Sequence, residues 1–129
     1  MSREIKFRGW YSVNEVMLPV ESINFREGYV SLNEGDNSLT DTLEMIELMQ
    51  YTGLKDKNRK EIYEGDIVSF YNDEEYRFKS TNALVIYDSA AFMLEHKKLG
   101  KEYLGEIDIE NMCIKIIGNI YENPELLEI

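Results

Sequence analysis

Two carboxylates sit two residues apart in Glu64-Gly65-Asp66-Ile67-Val68, the arrangement in this chain most able to hold a metal ion. With Asp56 or Asp88 as a further oxygen ligand they would form a magnesium site of the kind hydrolases and nucleases use. The stronger reading is structural: glycine frees φ for a tight turn, and the aspartate accepts nearby backbone N–H groups as the chain enters an apolar strand. His96, in Leu94-Glu95-His96-Lys97-Lys98, lies beside charged residues and has no serine or cysteine motif near it. It reads as a solvated histidine at a strand end rather than a general base. Cys113, the one cysteine, falls in the alternating stretch Met112-Cys113-Ile114-Lys115-Ile116-Ile117 and reads as a small core or strand residue, not a nucleophile. One cysteine and one histidine exclude a structural zinc site within the chain. Gly53 and Gly118 are isolated glycines, far short of a phosphate-cradling loop. No residue is therefore assigned a catalytic, cofactor-binding or metal-binding role, and no cofactor is expected.

Composition narrows the classes further. The chain has 129 residues, 43% hydrophobic and 30% charged, which is the composition of one globular domain with a real core, 1–129. No apolar run reaches the ~18 residues a membrane span needs. The first residues turn charged at once, without the apolar stretch of a secretory signal, so a cytoplasmic chain is expected. The net charge of −11 comes from 25 acidic against 14 basic residues. Such a chain repels phosphate, and direct binding of nucleic acid is not expected. The acidity is spread out, at Glu44 and Glu47, Asp73-Glu74-Glu75, Glu106, Asp108 and Glu110, and Glu122, Glu125 and Glu128. It supports solubility first, and second a face that meets a basic partner by imitating DNA.

The elements that would position these residues are mostly strands. Residues 4–11 alternate, with Ile5, Phe7 and Tyr11 on one side and Lys6, Arg8 and Trp10 on the other. A second strand is expected around Val16-Met17-Leu18, with Pro19 arguing against a long central strand beyond it. Tyr29 to Leu32 reads as a strand and residues 34–38 as a loop. Asp41 followed by Glu44 resembles a helix cap, so a short helical or irregular lead-in is expected before a strand from about Ile46. Thr52 to Lys60 is a polar connection, Glu61-Ile62-Tyr63 a brief extended piece, and residues 64–66 a turn into the strand Ile67 to Tyr71. Asn72 to Asn82 reads as a charged surface hairpin or loop. Ala83 to Tyr87 and Ala91 to Glu95 read as strands divided by residues 88–90. Met112 to Tyr121 is expected to be a strand bent at Gly118-Asn119. Asn123-Pro124-Glu125 is a helix start, with Asn123 as cap. The fold class is mainly β, with many short antiparallel strands in a small SH3-like barrel or curled sheet and one or two short helices.

One long segment carries a resemblance. Tyr51-Thr52-Gly53-Leu54-Lys55-Asp56-Lys57-Asn58-Arg59-Lys60-Glu61-Ile62-Tyr63-Glu64-Gly65-Asp66-Ile67-Val68 resembles the signature of the YopX family, QYTGLKDKNGKEIYEGDIV. Arg3 to Trp10 is similar to that family's opening REIKFRAW, and Ile117 to Leu127 to its closing VIGNIYENPELL. Arg59 stands where the pattern has the glycine of an Asn-Gly turn. A different turn type, or Asn58 alone in the left-handed conformation, is expected there. The resemblance implies a phage or prophage accessory protein. It implies no catalytic residue to carry over.

Nine tyrosines, five phenylalanines and one tryptophan are many for this length. Tyr51, Tyr63, Tyr71 and Tyr121 are candidates for a contact surface. The expected function is a non-enzymatic protein-interaction or regulatory module with a protein partner of unknown identity, or a homo-oligomer formed through strand edges. The alternatives are an acidic DNA mimic that inhibits a nucleic-acid enzyme, and a metal-dependent hydrolase using Asp56, Glu64, Asp66 or Asp88.

Overall fold

In the computed structural model, which describes residues 3–71 and 80–127, the chain is built almost wholly from antiparallel strands. It divides into two compact units, Met1–Tyr51 and Thr52–Ile129. The acidic run 73–75 and Glu128 lie outside the described residues.

The first unit contains β1 (Phe7–Tyr11), β2 (Val16–Asn24), β3 (Tyr29–Asn33), β4 (Ser38–Thr42) and the start of β5 (Ile46–Lys55). Its strands lie side by side in the order β4-β3-β2-β1-β5. In a flat sheet β1 and β4 would be about 14 Å apart, three strand spacings. Yet the Tyr11 hydroxyl at the end of β1 donates to the Asp41 carboxylate on β4, which only a curled sheet allows. The curl wraps a core of Val30, Leu32 and Ile46, with Tyr11, Leu18, Val20 and Leu39 packed around it. Gly9 permits this closeness, because a Cβ there would lie 2.7 Å from Ile46 Cγ2 and 2.8 Å from Leu32 Cδ2.

One expectation for this unit fails, and another is met in only one of its two forms. Pro19 does not end β2. It is the last β2 residue paired with β1, opposite Arg8, and pairing with β3 begins at Val20. Where the strand changes partner a missing N–H is tolerated. The lead-in before Ile46 takes the irregular form and not the helical one, with residues 43–45 in a turn. Asp41 sits in β4, opposite Val30, and its carboxylate accepts from Tyr11 and the Thr42 N–H instead of capping a helix. The strand beginning at Ile46 is as expected, though it runs on to Lys55.

In the second unit the end of β5 and β6 (Glu61–Tyr63) precede a sheet in the order β10-β9-β8-β7-β11. Its strands are β7 (Asp66–Tyr71), β8 (Ser80–Asp88), β9 (Ala91–His96), β10 (Gly100–Tyr103) and β11 (Lys115–Asn119). Ile62, Val68, Phe70, Ala83, Val85, Leu94, Leu104 and Ile114 form its core. Ser89 and Ala90 join β8 to β9 with φ of 51° and 65°, the left-handed pair of a two-residue hairpin turn, although neither is glycine. The bulge expected near Gly118 is present as a register shift between Ile116 and Gly118. β10 was not legible, since its four residues are exposed and carry no alternation. The helices are short 3-10 turns, Leu104–Glu106 and Pro124–Leu127. Asn123 turns its side chain back to accept from the Asn119 N–H. Among the described residues both sheets are open in strand order, so the fold is the curled-sheet form of the expected class and not a closed barrel.

Candidate functional site

Three of the four carboxylates that could have shared a metal, Asp56, Asp66 and Asp88, bond different partners. Asp56 is 3% exposed. Its Oδ1 accepts the N–H groups of Asn58 and Lys60 at 2.8 and 2.9 Å, and its Oδ2 accepts the Ile116 N–H at 2.9 Å. It shapes its own turn and ties that turn to β11, sixty residues further on. Asp66 is 2% exposed, and its Oδ2 accepts the Tyr63 N–H across the Glu64-Gly65 turn at 2.8 Å. Gly65, at φ 89°, donates to the Val85 carbonyl and accepts from the Ile120 N–H, so this turn is held from two sides. Asp88 lies at a hairpin end and pairs with Lys101 at 2.7 Å. The Lys101 ammonium, through its hydrogen bond and charge, holds the Asp88 carboxyl below its usual range. Among the described residues no three His, Cys, Asp or Glu side chains are grouped as metal ligands would be. The arrangement does turn chemistry.

The turn differs in type from an Asn-Gly turn, as one of the two expectations had it, and Asn58 is not the left-handed residue. Arg59 itself takes the left-handed conformation, at φ 70°, and its N–H donates to the Asp56 carbonyl. The bonds that Asp56 makes on either side of it hold the backbone in the shape that glycine would adopt more easily.

His96 is not solvated. It is 8% exposed, stands edge-on to Phe70 with ring centres 6.2 Å apart, and accepts the N–H groups of Lys98 and Leu99 on Nδ1, both at 3.0 Å. A charge-rich sequence neighbourhood hid this, because the lysines leave the strand while the imidazole stays beneath it. Cys113 is not a strand residue. It lies half-buried in a turn at φ 51°, with the Lys57 Nζ 3.2 Å from its Sγ.

The tyrosines are redistributed as well. Tyr51 is buried and lies under the Lys6 ammonium, 5.0 Å from the ring centre. Tyr63 is half-buried, and the Tyr71 side chain lies outside the described residues. Tyr121 is exposed, as are Tyr29, Tyr87 and Tyr103, which the sequence did not single out. Among the described residues the most exposed aromatic is Phe25, at 80%. It occupies a turn whose backbone is held twice by Asn24: its carbonyl accepts the Gly28 N–H at 2.8 Å, and its Oδ1 accepts the Glu27 N–H at 3.0 Å. The turn before β5 is hooked to this one, Leu43 N–H to Gly28 carbonyl at 2.9 Å. Phe25 and Met45 on these two turns and Tyr29 at the start of β3 are exposed.

No helix among the described residues is long and apolar enough to cross a membrane. The model of a family described as YopX protein matches residues 6–128, spanning both units. The fold is similar to the crystal structure of protein EF1440 from Enterococcus faecalis, with a TM-score of 0.69 and 29% identity, covering 98% of this chain and all of that one. It is also similar to the crystal structure of protein yopX from Bacillus subtilis, with a TM-score of 0.65 and 22% identity over 95% of each chain. No curated protein matches this chain.

Proposed function

This chain belongs to the YopX family, and from that membership we propose that it is a non-enzymatic interaction or regulatory protein of phage or prophage origin, acting as one module in the cytoplasm of a bacterial host. The observation that carries the reading is the Asn24–Gly28 turn. Its backbone is held by two hydrogen bonds, yet it presents Phe25 to solvent. An aromatic anchor on a preorganised turn loses little conformational entropy on contact, and such anchors contribute a large share of binding energy at protein interfaces. The different partners of Asp56, Asp66 and Asp88 favour this reading over a metal-dependent hydrolase. The acidic DNA mimic is a weaker rival. Nine acidic residues against four basic ones in 1–51, and sixteen against ten in 52–129, divide the charge between both units, which is what solubility alone requires.

The experiment is affinity capture from host and prophage-carrying lysates, run in parallel with wild type and the Phe25→Ala/Tyr29→Ala/Met45→Ala variant. All three side chains are exposed, so the variant keeps its fold. Proteins captured by wild type and lost with the variant support the reading. Capture that ignores the substitutions, or none above background, refutes it. Sedimentation of the same two proteins separates a foreign partner from a second copy of the chain joined through open strand edges.

A further inference from the structure

We propose that a cavity beside His96, in the second unit, is a binding site for a planar heteroaromatic molecule of about two fused rings. The site goes beyond the interaction reading and does not depend on it. The cavity has a volume of about 330 Å³. Its walls are Phe70, Ala83 and Leu94 from the sheet, faced by Ile107, Met112 and Ile114 from the segment leading into β11. Small-molecule pockets commonly hold about 300–1,000 Å³, and a cavity of about 150 Å³ accommodates benzene, so a two-ring guest fits the space.

Polar groups in the cavity select the guest. Glu102 on β10 stands opposite Leu94 on β9, and His96 lies two residues beyond Leu94, so all three share one face of the sheet. The two N–H groups that His96 Nδ1 accepts occupy that nitrogen's lone pair, and the neutral ring therefore carries its proton on Nε2. Nε2 lies on the ring edge away from that turn and has no hydrogen-bond partner among the described residues. His96 is 8% exposed and lines the cavity, so this N–H is a donor that a guest can satisfy. Glu102 at the mouth is a carboxylate acceptor that repels anions and suits a guest N–H. A largely apolar chamber lined by one imidazole donor and one carboxylate acceptor calls for a flat, uncharged ring system bearing both a ring nitrogen acceptor and an N–H.

Benzimidazole has those features, and indene has the same shape without the nitrogens. Titration of each into the ¹⁵N-labelled full chain at neutral pH tests the proposal. Benzimidazole is expected to give saturable shifts centred on Leu94, His96, Glu102 and Met112, and to bind about tenfold tighter than indene, the value of one buried hydrogen bond. His96→Asn keeps an oxygen able to accept from the turn and loses the Nε2 donor, so it should level the two affinities. Met112→Trp fills the cavity from a half-buried wall and should abolish both. The amide spectrum reports whether each variant is folded. If a variant unfolds, the shift map and the affinity ratio on the wild-type chain decide alone. Absence of saturation at millimolar benzimidazole, shifts centred elsewhere, or equal affinity for benzimidazole and indene would overturn the site.

Discussion

The two units solve the same problem with different means. The first encloses a cluster of three buried residues, Val30, Leu32 and Ile46, and relies on the curl of one sheet, with Tyr11 reaching Asp41 across it. The second has a larger cluster of eight buried residues and pins its loops with buried polar groups, Asp56 to β11 and Asp66 across its own turn. A small core leaves the first unit sensitive to single apolar deletions. The larger core makes the second sensitive to loss of the polar pins that hold loops over it.

Asp56→Ala is the sharpest way to break that contrast. It leaves three part-buried N–H groups without their acceptor, and a loss of about 4 kcal/mol is expected, given 1.5–3 kcal/mol for each charge-assisted bond and incomplete additivity. Urea denaturation with Cys113 thiol accessibility as the probe reads it in the second unit. Asp56→Asn should recover part, because its oxygen can still accept within the turn. A loss under 1 kcal/mol would show that the pins are incidental.

Leu32→Ala comes next, at about 3 kcal/mol, from lost burial and the cavity left behind. Trp10, the only tryptophan, lies on β1 and reports the first unit by fluorescence. A midpoint unchanged in urea would contradict the small-core account. Arg59→Gly has the opposite sign. Relief of a left-handed arginine is offset by the entropy glycine adds to the unfolded chain, so a gain of about 0.5–1 kcal/mol is expected in the same thiol assay.

The smallest effect is the pH dependence of the surface carboxylates. The Tyr11 hydroxyl, then the Thr42 N–H, lowers the Asp41 carboxyl, as Lys101 lowers Asp88. A carboxyl held down in the folded chain contributes stability above its unfolded pKa of about 3.9, and this is lost as pH falls through the folded value. Both groups are half-buried and still reached by solvent, so screening keeps the contribution small. Thermal melts of wild type and Asp88→Asn should differ slightly at neutral pH and converge in acid. A difference that widens on acidification would reverse the assignment.

Much of the strand pattern was legible because it is local. Ile67 to Phe70 and Ala83 to Val85 carry apolar residues between turn formers, and Gly118 marked its bulge. β10 and the extra length of β2 were not legible, since an exposed edge strand needs no alternation and Pro19 is tolerated only where β2 changes partner. The site residues divide the same way. The turn role of Asp66 was readable from Gly65-Asp66, while the burial of His96 was hidden by the lysines that follow it.

The sequence by itself determined the family, the mainly β class and the turn character of the carboxylates, because each rests on residue types a few positions apart. Only the tertiary structure decided where the second oxygen of Asp56 goes, why Arg59 bears a left-handed backbone, and that His96 faces a cavity. Those outcomes depend on strands brought together from distant parts of the chain, and burial and hydrogen-bond partnership exist only once those strands have met.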